Sequence, residues 1–214
     1  MKYDDLHMRG WCEFQASDTV SLSEELLDIA KELGHPVALR NSIGPVQQLV
    51  PTAKPQFKNS LSSKYKEGEF PLHIDTAHWT TPCRYIVLGC LKQGESQRKT
   101  NLVIFDEMQI SDEERLLLMT EPFRIVNGRQ SFYGTILAEN RPFLRYDPGC
   151  MAPTNLRGEI ALSVFASFRT KDANISIDWV DGKIVVIDNW RVMHGRGTGS
   201  GHGAERIISR VLVI

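Results

Sequence analysis

The run Phe70-Pro71-Leu72-His73-Ile74-Asp75-Thr76-Ala77-His78-Trp79 sets two metal-binding side chains one residue apart in a stretch that reads as extended. Successive side chains of a strand point to opposite faces, so His73 and Asp75 share one face and Leu72 and Ile74 the other. Two ligands are too few to hold iron. A third, His194, comes just after the apolar run Ile184-Val185-Val186-Ile187, within Asp188-Asn189-Trp190-Arg191-Val192-Met193-His194-Gly195-Arg196. Two histidines and one carboxylate on one side of a metal, with the other side open, suit a non-haem ferrous ion that must also bind oxygen. A His-x-Asp tripeptide arises easily by chance, so its meaning depends on what accompanies it.

The end of the chain supplies the second clue. Arg206-Ile207-Ile208-Ser209-Arg210 puts two arginines four apart, hence on one face of a strand and about 13 Å from each other. A buried arginine face needs an anion, because the guanidinium keeps its charge and its fork matches a carboxylate. That anion is either a protein carboxylate in a salt bridge or a bound ligand.

Taken in order, His73, Asp75, Thr100, His194 and Arg206 resemble the taurine-dioxygenase and clavaminate-synthase-like branch of the Fe(II)/2-oxoglutarate oxygenases. That branch has His-x-Asp, a threonine some twenty-seven residues after the first histidine, a distal histidine, and an arginine about a dozen residues beyond it. The resemblance covers roughly residues 60 to 214 and fades toward the N-terminus. It implies that His73, Asp75 and His194 hold Fe(II) and that 2-oxoglutarate chelates the metal through its keto and C1 carboxylate oxygens. Arg206 would clamp the distal carboxylate, with a hydrogen bond from the Thr100 hydroxyl, and dioxygen would complete the reactants. The implied reaction is hydroxylation of a C–H bond of a small polar molecule, an amino acid or natural-product intermediate, with release of succinate and carbon dioxide. Related halogenases replace the metal carboxylate with a small residue, so Asp75 disfavours halogenation; desaturation, ring formation and epoxidation stay open.

Arg210 is available either to the cosubstrate or to an acidic group on the prime substrate. Polar candidates for substrate contact are Arg40, Asn59, Ser60, Ser62 and Arg196, while His78 and Trp79 sit close enough to the metal pair to touch substrate or simply to pack. Gly199-Ser200-Gly201-His202-Gly203-Ala204 fits a dinucleotide fingerprint in form only, because no strand-helix-strand unit can follow it. Gly195 to Gly203 reads instead as a flexible connection able to close over the site. Two alternatives from other classes use the same residues: a non-catalytic jelly-roll binding protein, and a zinc-dependent hydrolase.

The elements that must position these groups are mostly short strands. Runs rich in β-branched and aromatic residues span Arg84 to Leu91, Asn101 to Asp106, Phe123 to Val126, Ser131 to Leu137, Phe143 to Tyr146, Ile175 to Val180, Lys183 to Ile187 and Ile207 to Ile214. Asp181-Gly182 between two of them is a hairpin signal. Capping-box spacing at Ser21–Glu24 and Ser111–Glu114 starts two helices, and Gly158 to Phe168 has helical apolar spacing. Pro36 to Arg40 reads as a short strand and residues 41 to 69 as a long loop. The expected fold is mainly β with flanking helices, a double-stranded β-helix or cupin-like jelly roll, whose mouth can enclose a ligand.

With 214 residues, 42% of them hydrophobic, the chain can build one substantial core, and residues 1–214 read as a single domain. A net charge of −1 with scattered basic residues lacks the footprint of a nucleic-acid binder. No apolar stretch is long enough to span a bilayer and the start does not read as a signal peptide, so a cytoplasmic protein without membrane partners is expected. Cys12, Cys83, Cys90 and Cys150 form no Cys-x-x-Cys pair and read as free thiols. Oligomeric state is not legible.

Overall fold

A computed structural model describes residues 2–39, 43–50, 65, 68–166, 175–197 and 206–214. In chain order the helices are α1 (Asp4–Arg9), α2 (Leu22–Leu33), α3 (Asp112–Thr120) and α4 (Leu156–Ala166). The strands are β1 (Trp11–Gln15), β2 (Pro36–Val37), β3 (Gln47–Leu49), β4 (Tyr85–Lys92), β5 (Thr100–Ile104) and β6 (Phe123–Asn127), followed by β7 (Gln130–Gly134), β8 (Met151–Pro153), β9 (Ile175–Ile177), β10 (Lys183–Asp188), β11 (Val192–Arg196) and β12 (Ile207–Val213).

The major sheet runs β1-β10-β4-β12-β2, with β3 also pairing with β12; a second sheet runs β11-β5-β9 and a third β7-β6-β8. All the pairings are antiparallel. The centres of β4 and β10 read as continuous apolar runs because both their faces are covered, whereas β12 carries Ser209 and Arg210 among its apolar residues. Val87, Ile184, Val186, Val211 and Val213 pack against Leu22, Leu26, Ile29 and Ala30 of α2. On the opposite face, Ile86, Leu88, Val185, Ile187, Ile208 and Leu212 meet Leu102, Ile104, Ile177 and Val192 of the second sheet. This face-to-face pair of sheets is the jelly-roll sandwich, as expected. Gly89 is needed where α2 lies closest, since a Cβ there would stand 2.9 Å from both terminal carbons of Leu26.

The far side of the second sheet forms another core. Val103 and Met193 pack there with Leu72, Ile74, Phe123, Ile125, Leu144, Tyr146 and the α4 residues Ala161 and Phe165. Leu72 and Ile74 thus face away from the side occupied by His73 and Asp75, as alternation requires.

Several local expectations need correction. The Asp181-Gly182 turn forms, with Gly182 at φ 79° and Lys183 N–H donating to Val180 at 3.0 Å. It is not a hairpin, because β9 pairs with β5 whereas β10 pairs with β1 and β4. A turn sequence reverses the chain without choosing its partners, and here it carries the chain from one sheet to the other. Phe143–Tyr146 is not a strand; its side chains fill the core without ladder pairing. Part of the expected loop forms β3 on the edge of β12. Ser21 does not cap α2 through its side chain and instead bonds Asp18, whereas Ser111 and Glu114 do form the capping box of α3. α4 begins two residues earlier than expected, behind Asn155, whose side chain accepts from Gly158 N–H at 2.8 Å. α1, β1, β8 and β11 were not legible in sequence, and Gly195 and Arg196, expected to begin a flexible connection, are the end of β11, paired with Asn101 and Thr100 of β5. The cysteines are free, with Cys12, Cys83 and Cys90 buried, and no helix among the described residues is long and apolar enough to cross a membrane.

Candidate metal centre

His194 lies in β11, opposite Leu102 of β5. His73 is joined to it by an isolated antiparallel bridge, each N–H donating to the other's carbonyl at 2.9 and 3.0 Å. Two residues before His73, Pro71 offers its carbonyl to the His73 ring at 2.9 Å through Nδ1. That bond keeps a proton on Nδ1 and makes Nε2 the nitrogen that would meet a metal; with none bound, burial opposes charge on the ring but Asp75 beside it pushes the His73 pKa up. After the bridge the chain turns sharply, and Asp75 is held at the start of the turn by Asn189.

The Asn189 amide behaves as a piece of strand. Its oxygen accepts from Asp75 N–H at 2.8 Å, and its nitrogen donates to Asp75 O at 3.0 Å and to Cys83 O at 2.8 Å. Asn189 is fully buried, so these bonds face no competition from water. Next comes Thr76 at φ 57°, a left-handed conformation unusual for a β-branched residue. The strain, of order 1–3 kcal/mol, is held by Cys83 N–H donating to the Thr76 hydroxyl at 2.8 Å and Trp79 N–H donating to Thr76 O at 2.8 Å. Arg145 completes the support: its guanidinium, 1% exposed, donates to the carbonyls of Ala77, Trp79 and Thr80 and lies against Phe132 and Phe143.

These elements bring one donor atom each from His73, Asp75 and His194 within 4.8 Å of one another. Nε2 of His73 and of His194 stand 3.5 and 3.8 Å from Oδ1 of Asp75. Adjacent corners of an octahedron with bonds of about 2.1 Å are about 3 Å apart, so the cradle is slightly wider than a loaded site. The second carboxylate oxygen is taken by Arg210, whose Nη1 donates to Oδ2 at 2.8 Å while Nη2 donates to Gln47 at 2.9 Å. Arg210 therefore turns Asp75 into a ligand with a single free oxygen, aimed at the two imidazoles.

Electrostatics agree with that geometry. Burial opposes charge on Asp75, but Arg210 and the two histidines outweigh it and hold the carboxyl well below its usual range. His194 is pushed down to about 3 by burial, with His73 adding to the effect, so its imidazole is neutral and its lone pair free.

The anion-binding candidates lie nearby. Arg206 is 4% exposed and donates to the carbonyl of Arg98, two residues before Thr100. Among the described residues no carboxylate meets it, and its Nε is buried without a partner. Thr100 accepts a hydrogen bond from Trp179 Nε1 at 2.9 Å.

Other candidates fall elsewhere. Arg196 is committed to the backbone of the approaching segment, donating from Nε to Gly68 O at 2.8 Å with its guanidinium 3.9 Å above the Phe70 ring. His78 and Trp79 are half-buried on the turn after Asp75, their rings edge to face, and burial pushes the His78 imidazole down. Arg40, Asn59, Ser60 and Ser62 lie outside the described residues, as does most of the glycine-rich segment beyond Gly197.

Sequence reasoning missed Asn189, Arg145, Gln47 and Trp179 as supports of the site. Asn189 and Trp179 stood inside motifs already singled out, but nothing in their spacing points to Asp75 or Thr100. Arg145 carried no signal beyond being a lone charge in an apolar run.

No protein-family model matches the chain. Clavaminate synthase 2 of Streptomyces clavuligerus is 25% identical over 174 residues, which cover 72% of this chain and 52% of that protein. The chain thus spans about half the length of this curated relative. Among solved structures, asparagine oxygenase with Fe(II), 3-hydroxyasparagine and succinate superposes with a TM-score of 0.73 at 18% identity, over 96% of this chain and 74% of that one. The non-haem iron oxygenase OrfP with Fe and alpha-ketoglutaric acid gives 0.76 at 17% identity, over 99% and 77%. The chain has the fold of the clavaminate-synthase-like oxygenases. In that fold the bridge between His73 and β11 and the nearby end of β12 are the elements that carry the titratable cluster described above.

Proposed function

We propose that this chain is an Fe(II)- and 2-oxoglutarate-dependent oxygenase that hydroxylates an amino acid or a similar small polar molecule. The observation that carries the reading is the pairing of two features: three convergent donors with a single-oxygen carboxylate, and a buried guanidinium that no acid among the described residues answers. His73, Asp75 and His194 would hold the metal, and this donor set fits ferrous iron with open coordination positions. Arg206 would hold the distal carboxylate of 2-oxoglutarate, because a desolvated cation this costly is stable only if an anion joins it. When bound, iron and 2-oxoglutarate would supply the oxygen activation, one atom of dioxygen ending in succinate as carbon dioxide is released and the other in a substrate C–H bond.

The chain's own residues supply placement. Arg210 keeps Asp75 ionised and oriented, Asn189 and Arg145 fix the turn that carries it, and the apolar layers on both sides of the second sheet limit access of water. Support for an amino-acid substrate comes from the likeness to asparagine oxygenase and to OrfP, solved with hydroxylated arginine. Arg210, expected to meet the cosubstrate or an acidic group of the substrate, is instead taken up by Asp75 and Gln47, so its part is to orient the metal ligand. Arg196, engaged with Gly68 and Phe70, would act by holding the entry segment.

The test is anaerobic addition of Fe(II) and then 2-oxoglutarate to the purified protein. A chelated keto acid on ferrous iron should give a weak visible charge-transfer band, and oxygen should then yield succinate, faster with the right amino acid. Metal binding with neither band nor succinate would reject the reading in favour of a binding protein or a zinc hydrolase.

A further inference from the structure

Thr100 poses a question that its hydrogen bond answers. A threonine hydroxyl has one proton to give and two lone pairs to receive with, and its rotation is otherwise unconstrained. An indole N–H can only donate. Since Trp179 Nε1 lies 2.9 Å from Thr100 Oγ1, the oxygen must be the acceptor and the hydroxyl proton must point elsewhere. Among the described residues nothing else accepts that proton. Trp179 cannot swing aside, because it is 4% exposed and belongs to the cluster that joins the two facing sheets, with Ile177, Ile208 and Leu212. Ile177, two residues before it, is the register partner of Thr100 across β9 and β5. Two residues before Thr100, Arg98 offers its carbonyl to the Arg206 guanidinium, which no carboxylate among the described residues meets. The indole therefore dictates a hydroxyl direction within the neighbourhood where a buried cation awaits an anion.

We propose that Trp179 is a positioning residue for the cosubstrate: its N–H fixes the Thr100 hydroxyl as a donor, ready for the distal carboxylate held by Arg206. The inference rests on the oxygenase reading and deepens it, assigning the specificity for a five-carbon keto diacid partly to a residue with no contact to that diacid. An unoriented hydroxyl would have to give up alternative partners on binding; the oriented one does not.

The experiment is a double-mutant cycle read by 2-oxoglutarate affinity, measured anaerobically from the charge-transfer band of the Fe(II) protein. Thr100→Val should weaken binding roughly 10- to 100-fold, the value of a hydrogen bond to a charged group. Trp179→Phe should weaken it about 3- to 10-fold through loss of a neutral one. In the Thr100→Val background Trp179→Phe should then change the affinity by less than about twofold, since nothing remains to orient. Because Phe also leaves a gap in the core, the benzothienyl analogue of tryptophan at position 179, with sulfur in place of N–H, provides a variant of the same shape and should reproduce the loss. An equal effect of Trp179→Phe with and without the Thr100 hydroxyl, or full affinity in the benzothienyl protein, would overturn the proposal. A wild-type protein that binds Fe(II) but gives no band with 2-oxoglutarate would defeat the function reading itself.

Discussion

Replacing Arg206 by methionine separates a ligand receptor from a structural strut, because the first role predicts little change in ligand-free stability and the second a clear loss. The guanidinium is 4% exposed, has no acid beside it among the described residues, and donates to the carbonyl of Arg98. Burying an ion costs several kcal/mol even after relaxation, and methionine relieves that cost while leaving one carbonyl without its donor, a loss of about 1–3 kcal/mol. The two nearly offset, so the ligand-free melting temperature should stay within about 3 °C of the wild type at about 2–4 °C per kcal/mol for a chain of this size. Ligand binding should tell the other half. Losing a charge-assisted hydrogen bond of about 1.5–3 kcal/mol weakens 2-oxoglutarate binding by roughly 10- to 150-fold. At a concentration near 100 times the wild-type Kd, the ligand stabilises by about 2.7 kcal/mol, a rise of roughly 5–10 °C. A variant that binds a hundredfold more weakly keeps only about 0.4 kcal/mol at the same concentration, so its rise should shrink to about 1 °C. The assay is thermal unfolding of the Mn(II)-loaded protein with and without 2-oxoglutarate. A variant that melts 5 °C or more lower without ligand, yet keeps the full ligand-induced rise, would refute the receptor argument.

His73→Ala should lower bound iron well below one ion per chain after gel filtration and abolish succinate release, because two donors do not hold the ion against water; retained activity would exclude the metal assignment. Asn189→Ala strips the partners from Asp75 N–H, Asp75 O and Cys83 O, and at about 1–3 kcal/mol for each buried unsatisfied group it should destabilise the ligand-free protein by roughly 3 kcal/mol or more in urea unfolding. A loss below about 1 kcal/mol would show that the turn does not depend on that amide.

Much of the architecture was legible because it rests on short-range pattern. The β-branched content of β4, β10 and β12 marked them as strands, alternation around His73 separated Leu72 and Ile74 from the candidate ligands, and the Ser111 to Glu114 spacing formed the capping box it promised. The limits have equally local causes. Asp181-Gly182 signals a reversal, but whether the flanking strands pair with each other depends on which neighbours offer a buried face, and β1 and β4 offered it to β10. Ser21 has the spacing of a cap, yet Asp18 competes for its hydroxyl. Phe143 to Tyr146 has the composition of a strand and the burial of a core, but its backbone bonds go separately to Trp190, Ile136 and Ile74, so no ladder forms.

For the site, residue type and order alone determined which side chains could ligate a metal and which could grip an anion, since imidazole, carboxylate and guanidinium carry that chemistry wherever they lie. Tertiary structure decided the rest: that Asp75 presents one oxygen because Arg210 takes the other, that its backbone is clamped by Asn189 from over a hundred residues away, and that the Thr100 hydroxyl proton points away from Trp179, which can only donate to it. Each of these is a direction in space shared by groups distant in the chain, and such a direction exists only once the two sheets close on each other and exclude the water that would otherwise satisfy every partner equally.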